Sequence, residues 1–193
     1  MKQYLTQVLH IVVITVTGTT GAIVLGLLRF GSDVFSLTSP GFAFVSYGFS
    51  GALIFAFYHV RGASNAMTAA VVASAAQMLA SLAYISMLQA VWFSFGLNIP
   101  VVVVAFLFER KLASLRMVRF LFVAGTYGSM FVILTLIVGA MGGGSGIPAE
   151  TFQKNFVDGL LLGLGLGLGV GGGEALLHSL AHPAAGTPPP HKA

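Results

Sequence analysis

The sequence predicts an all-α, polytopic integral membrane bundle of about six transmembrane helices with both termini in the cytoplasm, and three observations carry that prediction. Only 7% of the 193 residues are charged while 56% are hydrophobic, against roughly 25% charged residues in a soluble domain. The apolar residues come in blocks close to the ~20 that a helix needs to cross a bilayer, not in half-buried stripes. The basic residues divide unevenly among the segments that separate those blocks.

Taken in order, the first span is expected at about 8–28, closed by Arg29. Lys2 ahead of an apolar stretch has the outline of a signal peptide. No small-x-small site precedes a polar region, however, and the apolar run is of spanning length. Residues 30–41 (FGSDVFSLTSPG) read as a loop, with Asp33 and the Ser-Pro-Gly end as breakers. The second span, 42–60, stops at Arg61, and the third, 66–88, follows Gly62 to Asn65. A tight turn at Gln89 is required, because a merged third and fourth span is far too long for one crossing. The fourth span, 91–108, contains Pro100, and a polar stretch, 109–119, separates it from the fifth at 120–141. The glycine-rich segment GGGSGIPAETFQKN leads as a loop into the sixth span at 156–180. Residues 1–181 thus form a single transmembrane domain, and the proline-rich tail 182–193 (HPAAGTPPPHKA) is expected to be disordered and cytoplasmic. The two three-helix halves match in neither motif nor loop length, so an inverted repeat is not indicated.

Orientation follows from the cations. With the N-terminus inside, Lys2, Arg61, Arg110, Lys111, Arg116, Arg119 and Lys192 are cytoplasmic, and only Arg29 and Lys154 lie outside. This asymmetry follows the positive-inside rule and points to the cytoplasmic membrane of a prokaryote. The net charge of +4 is therefore a topology signal, and nucleic acid is not an expected partner. The inner loop ERKLASLRMVR is expected to meet anionic headgroups, with docking of a cytoplasmic partner as the alternative. There are no cysteines, which excludes disulfides and thiolate chemistry.

The sixth span, GLLLGLGLGLGVGGGEALLHSL, alternates glycine and leucine with the period of a strand, yet a lone strand leaves its backbone unsatisfied in lipid. Read as a helix, it carries Gly163, Gly167 and Gly171 along one side and Gly165, Gly169 and Gly173 on roughly the opposite side. Both sides offer grooves for close helix approach. The alternative is that this helix slides or bends during transport. The third span has a milder version in Ala66, Ala70 and Ser74, then Ala76 and Ala80.

Histidines and one intramembrane glutamate supply the most specific chemistry. Glu174, His178 and His182 share one helix side at four-residue spacing, and His10 and His59 are expected at similar depth in the inner leaflet. Glu174 lies ~9 Å of helix rise from the inner boundary, where a carboxylate costs about 2.5–3.5 kcal/mol unless paired or hydrated. Glu174, His178, His10 and His59 could form a proton relay, a divalent metal site or haem ligation from different helices. The plain alternative is that the histidines are wet interfacial groups and Glu174 bonds His178. In the outer half, Asn98 stands beside Pro100, which removes a backbone donor and frees a carbonyl. With Gln77, Tyr84, Trp92 and Tyr127 it marks an expected outward-opening substrate pocket, capped by residues 30–41. The plain alternative is a kinked helix with interfacial aromatics.

In helix count, length and orientation the chain resembles the small six-helix substrate-binding subunits of vitamin transporters powered by a separate ATPase module. The resemblance lies in architecture and not in residues. It implies termini on the inside and a pocket capped by the first outer loop. No ATP-binding motif occurs, so active transport requires partner subunits or an ion gradient. The leading expectation is a small-solute transport or channel component of the lipid bilayer, alone, as a homo-oligomer or with other membrane subunits. A metal- or haem-binding membrane protein and a non-catalytic scaffold are the alternatives. No nucleophile–base set or carboxylate pair appears, so an enzyme is not expected.

Overall fold

The computed structural model describes residues 2–37, 39–82, 87–110, 116–141 and 147–181, and every element among them is helical. The order is α1 (Lys2–Phe30), a 3-10 turn (Gly31–Phe35), α2 (Pro40–Arg61), α3 (Ala63–Ser81), α4 (Met87–Arg110), α5 (Arg116–Met141) and α6 (Ala149–Ala181). Three of these helices are long and apolar enough to cross a membrane: the first, together with the 3-10 turn, along with α2 and α6. Shorter apolar stretches, Ser94–Phe106 and Leu121–Ile137, lie in α4 and α5.

Local chemistry sets the helix ends. Ser39 Oγ accepts the Phe42 N–H at 3.1 Å with Pro40 at the first helical position, a side-chain cap that satisfies an otherwise orphaned donor. Ser39 Oγ also donates to the Asp33 carbonyl, tying α2 to the 3-10 turn. At the other end of α2, Gly62 adopts φ +81°, which an L side chain resists. It donates its N–H to the Tyr58 carbonyl at 2.9 Å and is the single residue between α2 and α3.

Two connections differ from the sequence expectation. The break between α3 and α4 falls ahead of Gln89, which lies within α4. Helix α6 begins at Ala149, inside the segment expected as loop, where Glu150 in the first turn complements the helix dipole. Helix α4 contains Pro100, as the span expected at 91–108 does; only the donor to the Gly96 carbonyl is lost, and the surrounding bundle holds the helix. The tail from His182 and residues 111–115 of the inner loop lie outside the described residues.

Helix α1 runs antiparallel to α2 and to α6, and α5 antiparallel to α6, as the pairs Gly18–Ala52 with Ala22–Gly48, Gly21–Gly165 with Thr17–Gly169, and Gly128–Leu160 with Ala124–Gly163 show. Helix α6 lies between α1 and α5 while also touching α2. In turn α2 touches α1, α3, α4 and α6, so it occupies the centre. Small residues allow this. A Cβ at Gly18 would stand 2.6 Å from Ala52 Cβ, and one at Gly48 would overlap Ala22. The core between the helices is filled by Ile14, Phe44, Ile54, Leu97, Val101, Tyr127, Leu162 and Leu166. Outward, Val12, Phe49, Leu79, Val103, Ile133 and Leu168 are each at least 48% exposed, one from every helix.

Candidate functional site

The centre of the bundle holds a chain of polar side chains contributed by α2, α3 and α4. Ser50 Oγ donates to Asn98 Oδ1 at 2.9 Å, Asn98 Nδ2 donates to Gln77 Oε1, and Gln77 Nε2 donates to Ser46 Oγ at 3.1 Å. Asn98, Ser50 and Gln77 are buried, at 1%, 2% and 7% exposure. An amide placed among apolar helices costs several kcal/mol unless its polar atoms are paired, and this relay is how the fold meets that demand. Each amide carries two N–H donors, so the relay leaves each of them one N–H beyond the one it spends. Ser50 stands eleven residues from Arg61 and ten from Pro40, or ~16 Å from either end of α2. The relay therefore sits at mid-depth.

Two further hydroxyls stand on the helices around it. Ser94 Oγ, one turn before Asn98 on α4, and Tyr127 Oη are buried with no hydrogen-bond partner among the described residues. Tyr127 Oη reaches across from α5 to Gly51, where a Cβ would lie only 2.7 Å away. Gly51 thus makes room for a hydroxyl next to Ser50. Several other hydroxyls are satisfied within their own helices: Thr17 Oγ1 donates to the Val13 carbonyl at 2.9 Å and Thr126 Oγ1 to Phe122 at 2.8 Å. Thr15 Oγ1 on α1 is a third buried hydroxyl with no partner among the described residues. Among the described residues three buried hydroxyls lack a partner, and two of the three belong to the helices around the relay.

The second group lies toward the end of the bundle that carries the α1 N-terminus. His59 Nδ1 is 3.9 Å from Glu174 Oε1, and the His10 and His59 rings are 6.4 Å apart, centre to centre. Helices α1, α2 and α6 thus bring His10, His59 and Glu174 together, while His178 lies one turn further along α6 and is exposed. Among the described residues no group of three or more His, Asp or Glu side chains could hold a metal ion, so the metal reading gains no geometric support.

At the opposite end Arg29 Nε donates to Asp158 Oδ1 at 2.6 Å, joining α1 to α6 across 129 residues of chain. Along α6, Gly165, Gly169 and Gly173 meet α1, and Gly163 meets α5 with its would-be Cβ 2.7 Å from Ala124 Cα. Gly167 is buried and Gly171 half-buried. The closest approach pairs Gly165 with Gly21, where a side chain on either would strike the other's carbonyl.

Of the residues singled out for a substrate pocket, Asn98 and Gln77 are directly bonded, and Tyr127 meets Gly51 on α2. Tyr84 and the Trp92 side chain lie outside the described residues. Sequence reasoning missed Ser46, Ser50 and Ser94, although Ser46 and Ser50 share one face of α2 at four-residue spacing. It also missed Asp158, the partner of Arg29. No protein-family model, curated protein or solved structure matches the chain.

Proposed function

We propose that the chain is a six-span integral membrane protein with both termini in the cytoplasm, and that it acts as a small-solute transport component. Its solute site is the mid-depth relay of Ser46, Ser50, Gln77 and Asn98 with Tyr127. The observation that carries this reading is the buried amide relay at the centre of the bundle, with the unpartnered Tyr127 hydroxyl against Gly51, the chain neighbour of Ser50. Buried polar groups in a bundle of this kind either pair internally or mark a path for something polar.

Several features support the membrane reading. Every helix turns large apolar side chains outward, a surface that water disfavours and lipid accepts. Antiparallel helices set the Arg61 end of α2 beside the α1 N-terminus, and basic residues favour the cytoplasm for that end. The relay is built of amides and hydroxyls, with the ionisable groups toward the two ends of the bundle, so it suits an uncharged, hydrogen-bonding solute over an ion. Active, concentrative transport requires partner subunits or a gradient, since the chain has no nucleotide-binding motif, whereas downhill uptake requires neither.

The test is uptake of labelled neutral polar solutes (polyols, amides and uncharged vitamins) into proteoliposomes of the purified chain. Uptake of one solute that falls at least tenfold in Asn98→Ala and in Tyr127→Phe, with both variants folded, supports the proposal. No uptake across the panel, or uptake indifferent to both substitutions, removes it and leaves the scaffold reading, for which the α1–α6 backbone contact is the favouring observation.

A further inference from the structure

A groove of about 320 Å³ opens between the ends of α1, α2 and α3, away from the relay. Its lining is graded along the helix axes. Val8, Ile11 and Val12 of α1 with Phe57 of α2 form the deeper, apolar part. Tyr4, Gln7, Arg61 and Asn65 line the part nearer the helix ends. From Val12 to Tyr4 the lining extends ~12 Å along the helix axis, so apolar wall gives way to hydrogen-bond donors over the depth at which a bilayer changes from acyl chain to headgroup.

Charge narrows the occupant. Arg61 is the one charged residue of the lining and no acid faces it there. Its guanidinium has no carboxylate partner among the described residues, while its backbone carbonyl accepts the Asn65 side-chain N–H at 3.3 Å. Asn65 is thereby held against the end of α2, beside the cation. A single unneutralised guanidinium at a rim of neutral donors, above an apolar slot parallel to the helix axes, matches the build of one lipid molecule. A soluble anion would leave the apolar slot empty, and a peptide helix would find no continuous stripe longer than two turns.

We propose that this groove seats one anionic phospholipid of the cytoplasmic leaflet. An acyl chain lies along Val8, Ile11, Val12 and Phe57, and the phosphate rests at Arg61 with Tyr4, Gln7 and Asn65 around it. The proposal rests on the membrane reading above but not on transport, because lipid binding is measured with no solute present. The chain's own topology places the groove where anionic lipids collect, and one cation near the surface favours them by about 1 kcal/mol, or roughly fivefold.

The experiment is native mass spectrometry and thermal unfolding of the full chain in a non-ionic detergent. The probes are dioleoyl phosphatidylglycerol, dioleoyl phosphatidylcholine and glycerol 1-phosphate. The expected result is one phosphatidylglycerol bound roughly fivefold more tightly than phosphatidylcholine, with a matching rise in unfolding temperature. Arg61→Gln abolishes the preference, Arg61→Lys keeps most of it, and Val8→Trp, which fills the slot from a partly exposed position, weakens both lipids. Equal binding of the two lipids, or a preference unchanged in Arg61→Gln, overturns the proposal in favour of non-selective lipid contact. Glycerol 1-phosphate binding as tightly as the lipid overturns it in favour of a free-phosphate site. Unfolding of the lipid-free variants at the wild-type temperature shows that they fold.

Discussion

At the residue scale, Asn98 decides most. It accepts from Ser50 and donates to Gln77, but Ser50 Oγ also lies 3.1 Å from the Tyr47 carbonyl, so Ser50 keeps a partner when Asn98 is removed. The loss falls on Gln77. Asn98→Ala should therefore destabilise the chain by about 1–3 kcal/mol, read by unfolding in mixed micelles. The Asn98→Ala, Gln77→Ala double cycle should show coupling of about 0.6–1.7 kcal/mol. The Arg29–Asp158 pair sits nearer water, with side chains 33% and 11% exposed, and such pairs are worth ~1 kcal/mol or less. Arg29→Ala should cost that much and lose its effect at high salt. The double exchange Arg29→Asp, Asp158→Arg should recover the stability, which a purely steric role for either side chain does not allow. Asn98 and Gln77 were legible in sequence because an amide between apolar helices must find a partner. Ser46 and Ser50 were not, because a helical hydroxyl can bond its own backbone and so signals nothing across the fold. Asp158 escaped for a related reason: at a span end water can satisfy a carboxylate, and nothing in the sequence demands Arg29.

At the element scale, α6 is a helix whose packing is done by what it lacks. Gly165 and Gly169 bring its backbone onto α1 so closely that a side chain at either would overlap backbone atoms. Gly165→Ala should cost about 1–3 kcal/mol through overpacking. Gly172, with nothing within 4 Å of its would-be Cβ, is the control: Gly172→Ala should be neutral or stabilising by up to ~1 kcal/mol. Unfolding midpoints of the two variants should move in opposite directions or one not at all, and an equal fall in both would contradict the packing assignment. The two glycine-lined sides were legible from the 3.6-residue period. Which neighbour each side meets was not, since alanine and glycine on α1, α2 and α5 offer near-equivalent grooves. The early start of α6 was hidden by glycine and proline just before it, which read as loop more loudly than Glu150 reads as a first turn.

At the scale of the whole molecule, the helical content follows from hydropathy blocks and was legible. The arrangement around α2 was not, because it depends on close backbone contacts that no local pattern encodes. The absence of cysteine makes the proposed orientation directly measurable. A cysteine at Ser36, between α1 and α2, should react with an impermeant maleimide in intact cells. One at Ser64, at the start of α3, should react only after the membrane is opened. The reverse pattern inverts the topology, and labelling of both from outside rules out a crossing by α2.

The pairing of α1 with α6 also has a consequence for how the chain is made. Gly21 and Gly165 touch although more than half of the sequence separates them, and contacts so distant form late. While the ribosome is still adding α5, the notched face of α1 has no mate, and the slot between α1, α2 and α5 stands open to the membrane. Under the proposed membrane reading, biogenesis is therefore a waiting problem: the first helix made is among the last to be locked. Any factor that holds that face, or any substitution that lets another small-residue helix claim it first, acts on yield rather than on the finished protein.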